Sequence, residues 1–315
     1  MILGFDIGGT KCAVITAEVN QDKIEIIAKE KIPTDLNIKP SEMIERLIVL
    51  ADKILGGNKP ECIGISCGGP LDSNNGIILG PPNLTGWDYV PIVDIIKEHY
   101  GVSVNLQNDA NACAVAEWKF GAGRGTQNMV FLTFGTGLGA GLILGGKLYS
   151  GTNGNAGEVG HIRLQEFGPV GYGKSGSFEG FCSGGGIAQL GYTLALEKSQ
   201  QGKHPVYYNS GMNQGDITAK TIGDAAEQGD ETALEVYSIC GEQLGKGLSV
   251  IIDILNPEKI VIGSIFARSR NLLWESASKV IKNEALESSS NCCEVVAAEL
   301  GEHIGDYAAI ATALL

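Results

Sequence analysis

The chain has 315 residues, of which 43% are hydrophobic, enough for two domains with substantial cores. Its formal net charge of −13, with no cationic stretch, argues against a nucleic-acid backbone as the main partner, because phosphate contacts need clustered Lys and Arg. No apolar run reaches membrane length and no signal-peptide core stands at the start, so a soluble, cytoplasmic protein is expected.

In chain order, residues 2–6 and 11–17 read as strands joined by a Gly8-Gly9 turn, and 23–32 as a third strand. Residues 41–55 have helical spacing (Met43, Ile44, Leu47, Ile48, Leu50, Ala51, Ile54), stopped by Gly56-Gly57. ECIGISCGGP (61–70) is a strand ending in a glycine-proline loop. Residues 102–107 form another strand, and a helix runs from Asp109 to about Trp118, with Asp109 as a candidate cap. The pattern then restarts. Residues 129–134 and 141–149 read as paired strands and 160–164 as a third. A helical region fills most of 184–252, broken by a polar loop around 200–215. A strand over 259–264, a helix over 270–286, a strand over 294–300 and a helix over 303–315 close the chain. Three antiparallel strands followed by alternating helix and strand, twice over, predict a duplicated α/β unit. The expected domains are 1–118, with the terminal helix (about 303–315) packing back on it, and 119–302. The eight cysteines, at 12, 62, 67, 113, 182, 240, 292 and 293, form no CxxC and lie mostly in apolar runs, as buried reduced thiols do.

Two glycine hairpins stand out. The first is Asp6-Ile-Gly8-Gly9-Thr10-Lys11, and the second is FLTFGTGLGAGL (131–142), with Gly135, Thr136 and Gly137 at its turn. Each joins two strand-like runs and sets a small hydroxyl residue beside glycines, so backbone N–H groups can approach an anion. Either alone is equally well a tight turn. In the first, Asp6 suits a hydrated Mg²⁺, Thr10 a phosphate oxygen, and Lys11 the phosphate charge. Gly135-x-Gly137-x-x-Ala140 loosely fits a dinucleotide fingerprint, but that needs a following helix, and a β-type run follows instead. Asp109 is either an N-cap or a base that takes the proton of a hydroxyl attacking a γ-phosphate. Glu158 and His161 form a loop ion pair or bind two sugar hydroxyls, and Glu179 is a surface glutamate or a ligand.

Taken together, these residues resemble the ROK family (repressor, open reading frame, kinase), particularly its bacterial glucokinase-like sugar kinases. The resemblance runs over nearly the whole chain: DIGGTK at 6–11, GGP at 68–70, Asn83-Leu-Thr-Gly-Trp87, QNDANACAVAEWKFGAGRG at 107–125, the FGTGLGAG hairpin, GNAGEVGH at 154–161, LNPEKIVIGS at 255–264 and the closing LGEHIGDYAAIATAL. It implies a two-domain, actin-like ATPase, ribonuclease-H-like α/β fold that closes over a sugar and ATP·Mg²⁺. It makes Asp109 the general base. Gly69, Asn83, Asn108, Glu158, His161 and Glu179 match sugar-binding positions. Asp6, Gly8, Gly9, Thr10 and Lys11 match the first phosphate motif, and Thr133, Gly135, Thr136 and Gly137 the second. Gly263 matches the loop near the adenosine, where the family usually has a second glycine and this chain has Ser264.

One departure is larger. Many members carry CxCGxxGCxE, whose three cysteines bind a structural zinc with the EVGH-type histidine. Here Val170, Tyr172 and Ser177 stand at the thiolate positions, and none can replace a thiolate. No structural zinc is expected, and Phe178 and Phe181 are the candidates to order the loop by packing. The expected activity is an ATP-dependent hexose kinase, acting on glucose at O6, with ATP, Mg²⁺ and the sugar as partners. An N-acetylhexosamine or fructose kinase uses nearly the same residues. A non-catalytic sugar-binding regulator is the rival class, although the first strand at residue 2 leaves no room for the N-terminal DNA-binding domain of the family's repressors. The resemblance also suggests a homodimer.

Overall fold

A computed structural model describes residues 1–20 and 23–315. They divide into two compact units, one of residues 1–127, 141–156 and 299–315, the other of 128–140 and 157–298.

The first unit opens with strands β1 (Ile2–Ile7), β2 (Lys11–Asn20) and β3 (Lys23–Pro33), then helix α1 (Pro40–Leu55) and strand β4 (Cys62–Cys67). A short hairpin, β5 (Leu71–Asp72) and β6 (Ile77–Ile78), precedes helix α2 (Ile92–Tyr100), strand β7 (Ser103–Asn108) and helix α3 (Asp109–Phe120). The sheet order is β3-β2-β1-β4-β7. β1 is antiparallel to β2 and parallel to β4, which is parallel to β7. Both faces of β1 are covered, so Ile2–Ile7 is an apolar run buried everywhere except Asp6. α1 buries Met43, Ile44, Leu47, Ala51 and Leu55, the stripe its spacing predicts, and ends at Gly56 in the left-handed conformation. Each of its large side chains is worth about 2 kcal/mol on burial. α2 was not foreseen in the sequence; its apolar positions Ile92 and Ile96 are one turn apart and buried.

The chain continues through β8 (Met129–Phe134), β9 (Leu138–Leu144), β10 (Lys147–Tyr149), the small hairpin β11 (Val170–Gly171) and β12 (Lys174–Ser175), and helices α4 (Phe178–Phe181), α5 (Gly184–Gln200), α6 (Ala219–Glu227) and α7 (Glu231–Leu255). Strand β13 (Lys259–Ile262), helices α8 (Ile265–Glu284) and α9 (Glu287–Ser290), strand β14 (Glu294–Ala297) and helix α10 (Ile304–Thr312) complete it. The second sheet runs β10-β9-β8-β13-β14, the same order as the first, with β8, β13 and β14 parallel. The duplicated α/β pattern is therefore present in both sheets.

Two differences from the sequence reading have clear causes. The third antiparallel strand of the second sheet is not 160–164. It is β10, because the 141–149 run breaks at Gly145 and Gly146, whose φ values of 58° and 72° make the turn of a hairpin. Residues 159–161 form a single 3₁₀ turn instead, and the next residues bond the 176–178 segment, with Leu164 N–H on the Gly176 carbonyl and Phe178 N–H on that of Ile162. The stretch 141–156 clusters with the first unit, where Gly141 packs on α3 so closely that an added Cβ would stand 2.5 Å from the Ala110 oxygen. Helix α10 also belongs to the first unit, and it lies against glycines of β1 and β4.

Candidate active site

The Asp6–Lys11 hairpin follows directly from β1. Gly8 N–H bonds the Lys11 carbonyl at 3.2 Å, closing the turn. Thr10 and Lys11 lie at its exposed tip. An added Cβ at Gly9 would stand 2.7 Å from the Asn83 Cβ and collide with its carbonyl oxygen, so the Asp6–Lys11 turn packs directly on Asn83. Thr34, which the sequence did not single out, braces the turn from below. Its Oγ1 donates to the Gly8 carbonyl at 2.5 Å and its N–H to the Thr10 carbonyl at 3.1 Å. Nothing in local spacing marks Thr34, because only the β2–β3 hairpin carries it back to the turn.

Asp6 is partly buried, and no donor among the described residues hydrogen-bonds its carboxylate. Burial, then the charges of Asp109 and Asp306, push its carboxyl up to about 7, with Lys29 and Lys11 opposing. Lys29 is itself ion-paired with the buried Asp306. An unpaired hard-oxygen ligand crowded by like charge fits a divalent cation such as Mg²⁺. Because the folded pKa lies above the unfolded value, the folded state holds an extra proton between about pH 4 and 7, and stability falls as pH rises through that window. Asp6→Asn is expected to raise the melting midpoint at pH 7.5, without divalent cations, by about 3 °C. Calorimetry checks this; a lowered midpoint would refute the crowding.

Asp109 is the first residue of α3, and it is not the cap. Asn108 is: its Oδ1 accepts the Asn111 N–H at 2.8 Å, which overturns the capping role for Asp109 and leaves only the Asn108 amide N–H₂ free for a ligand. The Asp109 side chain reaches solvent, yet the surrounding protein thins its hydration and raises its carboxyl above the ordinary range, opposed by the Ser66 hydroxyl, which donates to Oδ1 at 3.3 Å. Gly68 leaves Oδ2 uncovered, since an added Cβ there would come within 3.7 Å of it. Gly69 follows in the same loop.

In the second unit, Thr133 is the penultimate residue of β8 and its Oγ1 accepts the Gly139 N–H at 2.9 Å, which fastens the second hairpin. Gly135 N–H bonds the Gly137 carbonyl at 3.1 Å, Gly184 N–H bonds the Gly135 carbonyl at 2.8 Å, and Thr136 is exposed at the tip. Glu179 Oε2 accepts the Leu138 N–H at 2.9 Å, joining the hairpin to Glu179. Gly160, between Glu158 and His161, packs on Glu179: an added Cβ would lie 3.2 Å from the Glu179 Cβ. Gly160 of the 158–161 turn, Glu179 and the Thr133–Leu138 hairpin thus lie against one another.

Gly263 and Ser264 adjoin Gly135, where an added Cβ would meet the Ser264 Oγ at 3.6 Å. Ser264 has φ 52° and ψ −112°, a conformation glycine takes freely and serine does not. The departure from the double glycine is therefore strained. Ser264→Gly is expected to stabilise the chain by about 1 kcal/mol in denaturant titration; a loss of stability would show that the hydroxyl offsets the strain.

Where the zinc segment would lie, Ser177 caps α4, its Oγ accepting the Gly180 N–H at 3.0 Å and donating to the Lys174 carbonyl at 3.0 Å. Gln189 holds the Val170 backbone with both its amide atoms, at 3.0 Å and 2.9 Å. Phe178 and Phe181 are buried, so hydrogen bonds and packing together order this loop. Among the described residues no cluster of three His, Cys, Asp or Glu side chains can hold a metal, and no helix is long and apolar enough to cross a membrane.

The glucokinase of Halalkalibacterium halodurans is 33% identical over 312 residues, covering 96% of this chain and 92% of that protein. The crystal structure of a ROK family glucokinase from Streptomyces griseus in complex with glucose and AMPPNP superposes with a TM-score of 0.77 at 28% identity, over 99% of each chain. That of a ROK family transcriptional regulator, a homolog of the E. coli MLC protein, gives a TM-score of 0.85 at 25% identity, over 99% of this chain and 78% of that one. The fold is that of the actin-like sugar kinases. With a sequence model of the family matching residues 2–314, the chain belongs to the ROK family.

Proposed function

We propose that this sugar kinase transfers the γ-phosphate of ATP to the O6 hydroxyl of glucose. The observation that carries the reading is the Asp109 carboxylate, oriented by Ser66, uncovered above Gly68, and raised by desolvation. A raised carboxylate is a stronger base than one in water, as abstraction of a hydroxyl proton requires. Asp109 takes the O6 proton as the oxygen meets the γ-phosphorus. Asn83, the Asn108 amide, Glu158, His161 and Glu179 orient the other hydroxyls, so the attacking oxygen is held near its target. Backbone N–H groups of Gly8–Thr10 and Gly135–Gly137, with Thr10 and Lys11, receive the phosphate oxygens, whose charge grows in the transition state. Asp6 is the residue that would hold the hydration shell of a Mg²⁺ ion carried with ATP, which would neutralise phosphate charge.

Because Asp109 works deprotonated and its pKa is raised, kcat/KM is expected to fall on acidification at a pH above the ordinary carboxylate range. A pH profile with its acid limb near pH 4 would count against Asp109 as the base. The reaction itself is tested by ADP release from Mg-ATP with a panel of hexoses and N-acetylhexosamines. Turnover with glucose supports the proposal. Preference for an N-acetylhexosamine or fructose moves the substrate within the same chemistry. Sugar binding without any turnover would make the chain a non-catalytic regulator, the side on which the likeness to the transcriptional regulator lies.

A further inference from the structure

The β11–β12 hairpin turns through two residues, Tyr172 and Gly173, with φ values of 45° and 77°. Positive φ at both positions is the signature of a type I′ turn, whose first position favours Asn or Gly. A tyrosine there is a poor choice for the backbone, and its ring is not buried in compensation, being 74% exposed. What the ring does touch is His161. The two rings meet edge to face, with centroids 5.3 Å apart and planes at 79°. No hydrogen bond to the His161 ring nitrogens exists among the described residues, and His161 is itself exposed. Its backbone is held, since Lys174 Nζ donates to its carbonyl at 2.8 Å. Among the described residues, Tyr172 is the ring that the imidazole meets.

The hairpin can act as a fixed support because it is anchored on both sides. Gln189 of α5 grips the Val170 backbone. An added Cβ at Gly171 would stand 2.5 Å from the Gly180 nitrogen and 2.9 Å from the Glu179 Cβ, so the hairpin lies directly on α4. We propose that Tyr172 is a positioning residue that fixes the His161 imidazole, and with it the sugar hydroxyl that His161 receives. This rests on His161 being a sugar contact. The strained turn is retained because an exposed imidazole otherwise samples several rotamers and must be ordered afresh at each binding event.

The test separates the ring from the turn. Tyr172→Asn gives the turn its preferred residue and removes the ring, whereas Tyr172→Phe keeps the ring. Tyr172→Asn is expected to melt at the same temperature as the parent or higher, yet to raise KM for the sugar about tenfold, with KM for ATP within about twofold. Tyr172→Phe should restore the parent's KM. In solution NMR the His161 ring resonances, identified among the four histidines by their loss in His161→Gln, should carry a ring-current shift in the parent and in Tyr172→Phe. They should lose it in Tyr172→Asn. An unchanged sugar KM together with an unchanged His161 resonance in Tyr172→Asn overturns the proposal, as does a lowered melting temperature with both readouts unmoved, which makes Tyr172 a structural residue. If the parent turns over no sugar, the kinase reading fails, and the NMR comparison alone decides the positioning role.

Discussion

Asp109→Asn is expected to lower kcat about 10³-fold while leaving the sugar Kd within about threefold. The substitution keeps the shape and can still accept the Ser66 hydroxyl at Oδ1, so the position of α3 and its Asn108 cap should not change. What disappears, on the proposed mechanism, is the proton acceptor. An amide has no useful basicity, and the proton of the attacking hydroxyl must then leave to water or to the phosphate itself. A 10³-fold loss is about 4 kcal/mol of transition-state stabilisation, within the span of a single general base. Folding should be unharmed or slightly improved, because a charge held above its ordinary pKa by desolvation is replaced by a neutral group. Steady-state kinetics and sugar titration of one preparation read all three quantities. Turnover within tenfold of the parent would remove Asp109 from the role of base. Loss of sugar binding as well would make it a binding residue.

The second large effect concerns stability and lies away from the chemistry. Gly64→Ala is expected to cost about 3 kcal/mol or more. Gly64 sits in the middle of β4, where helix α10 crosses the sheet. An added Cβ would collide with the Ala309 carbonyl, lie 2.5 Å from the Ala313 nitrogen and 3.1 Å from the Thr312 carbonyl carbon. All three are backbone atoms, so no side-chain rotation relieves the clash. α10 must lift, and Ala308, Ala309 and Ile310, which are fully buried, would lose contacts. Gly4 is a milder case on the neighbouring strand, where an added Cβ would meet the Ala309 side chain at 3.0 Å. Denaturant unfolding of both variants should rank Gly64→Ala well below Gly4→Ala. Equal stability would show that α10 is free to shift outward.

The two hairpins were legible in the sequence because a turn of glycines between apolar runs is a local pattern, with partners a few residues apart. The same is true of α1, whose stripe is written at helical spacing, and of the duplicated α/β succession, although the third strand of the second sheet was read at 160–164 and is β10. That Val170, Tyr172 and Ser177 stand at the family's thiolate positions is likewise read from the residues alone.

Order and spacing by themselves determined the α/β class and the residue types at the two glycine turns, and the resemblance of the motifs pointed to the family. The tertiary structure alone decided contacts between distant segments. Asn108 rather than Asp109 caps α3, because the choice depends on which side chain points at the Asn111 N–H. Thr34 reaches Gly8 only through the β2–β3 pairing, and Gly9 meets Asn83 only where two loops cross. Tyr172 reads in the sequence as a lost zinc ligand. Only the fold shows it at a left-handed turn with its ring on His161. Short-range patterns fix dihedrals and faces, whereas the identity of a packing partner is set by the path of the whole chain, which spacing along it does not encode.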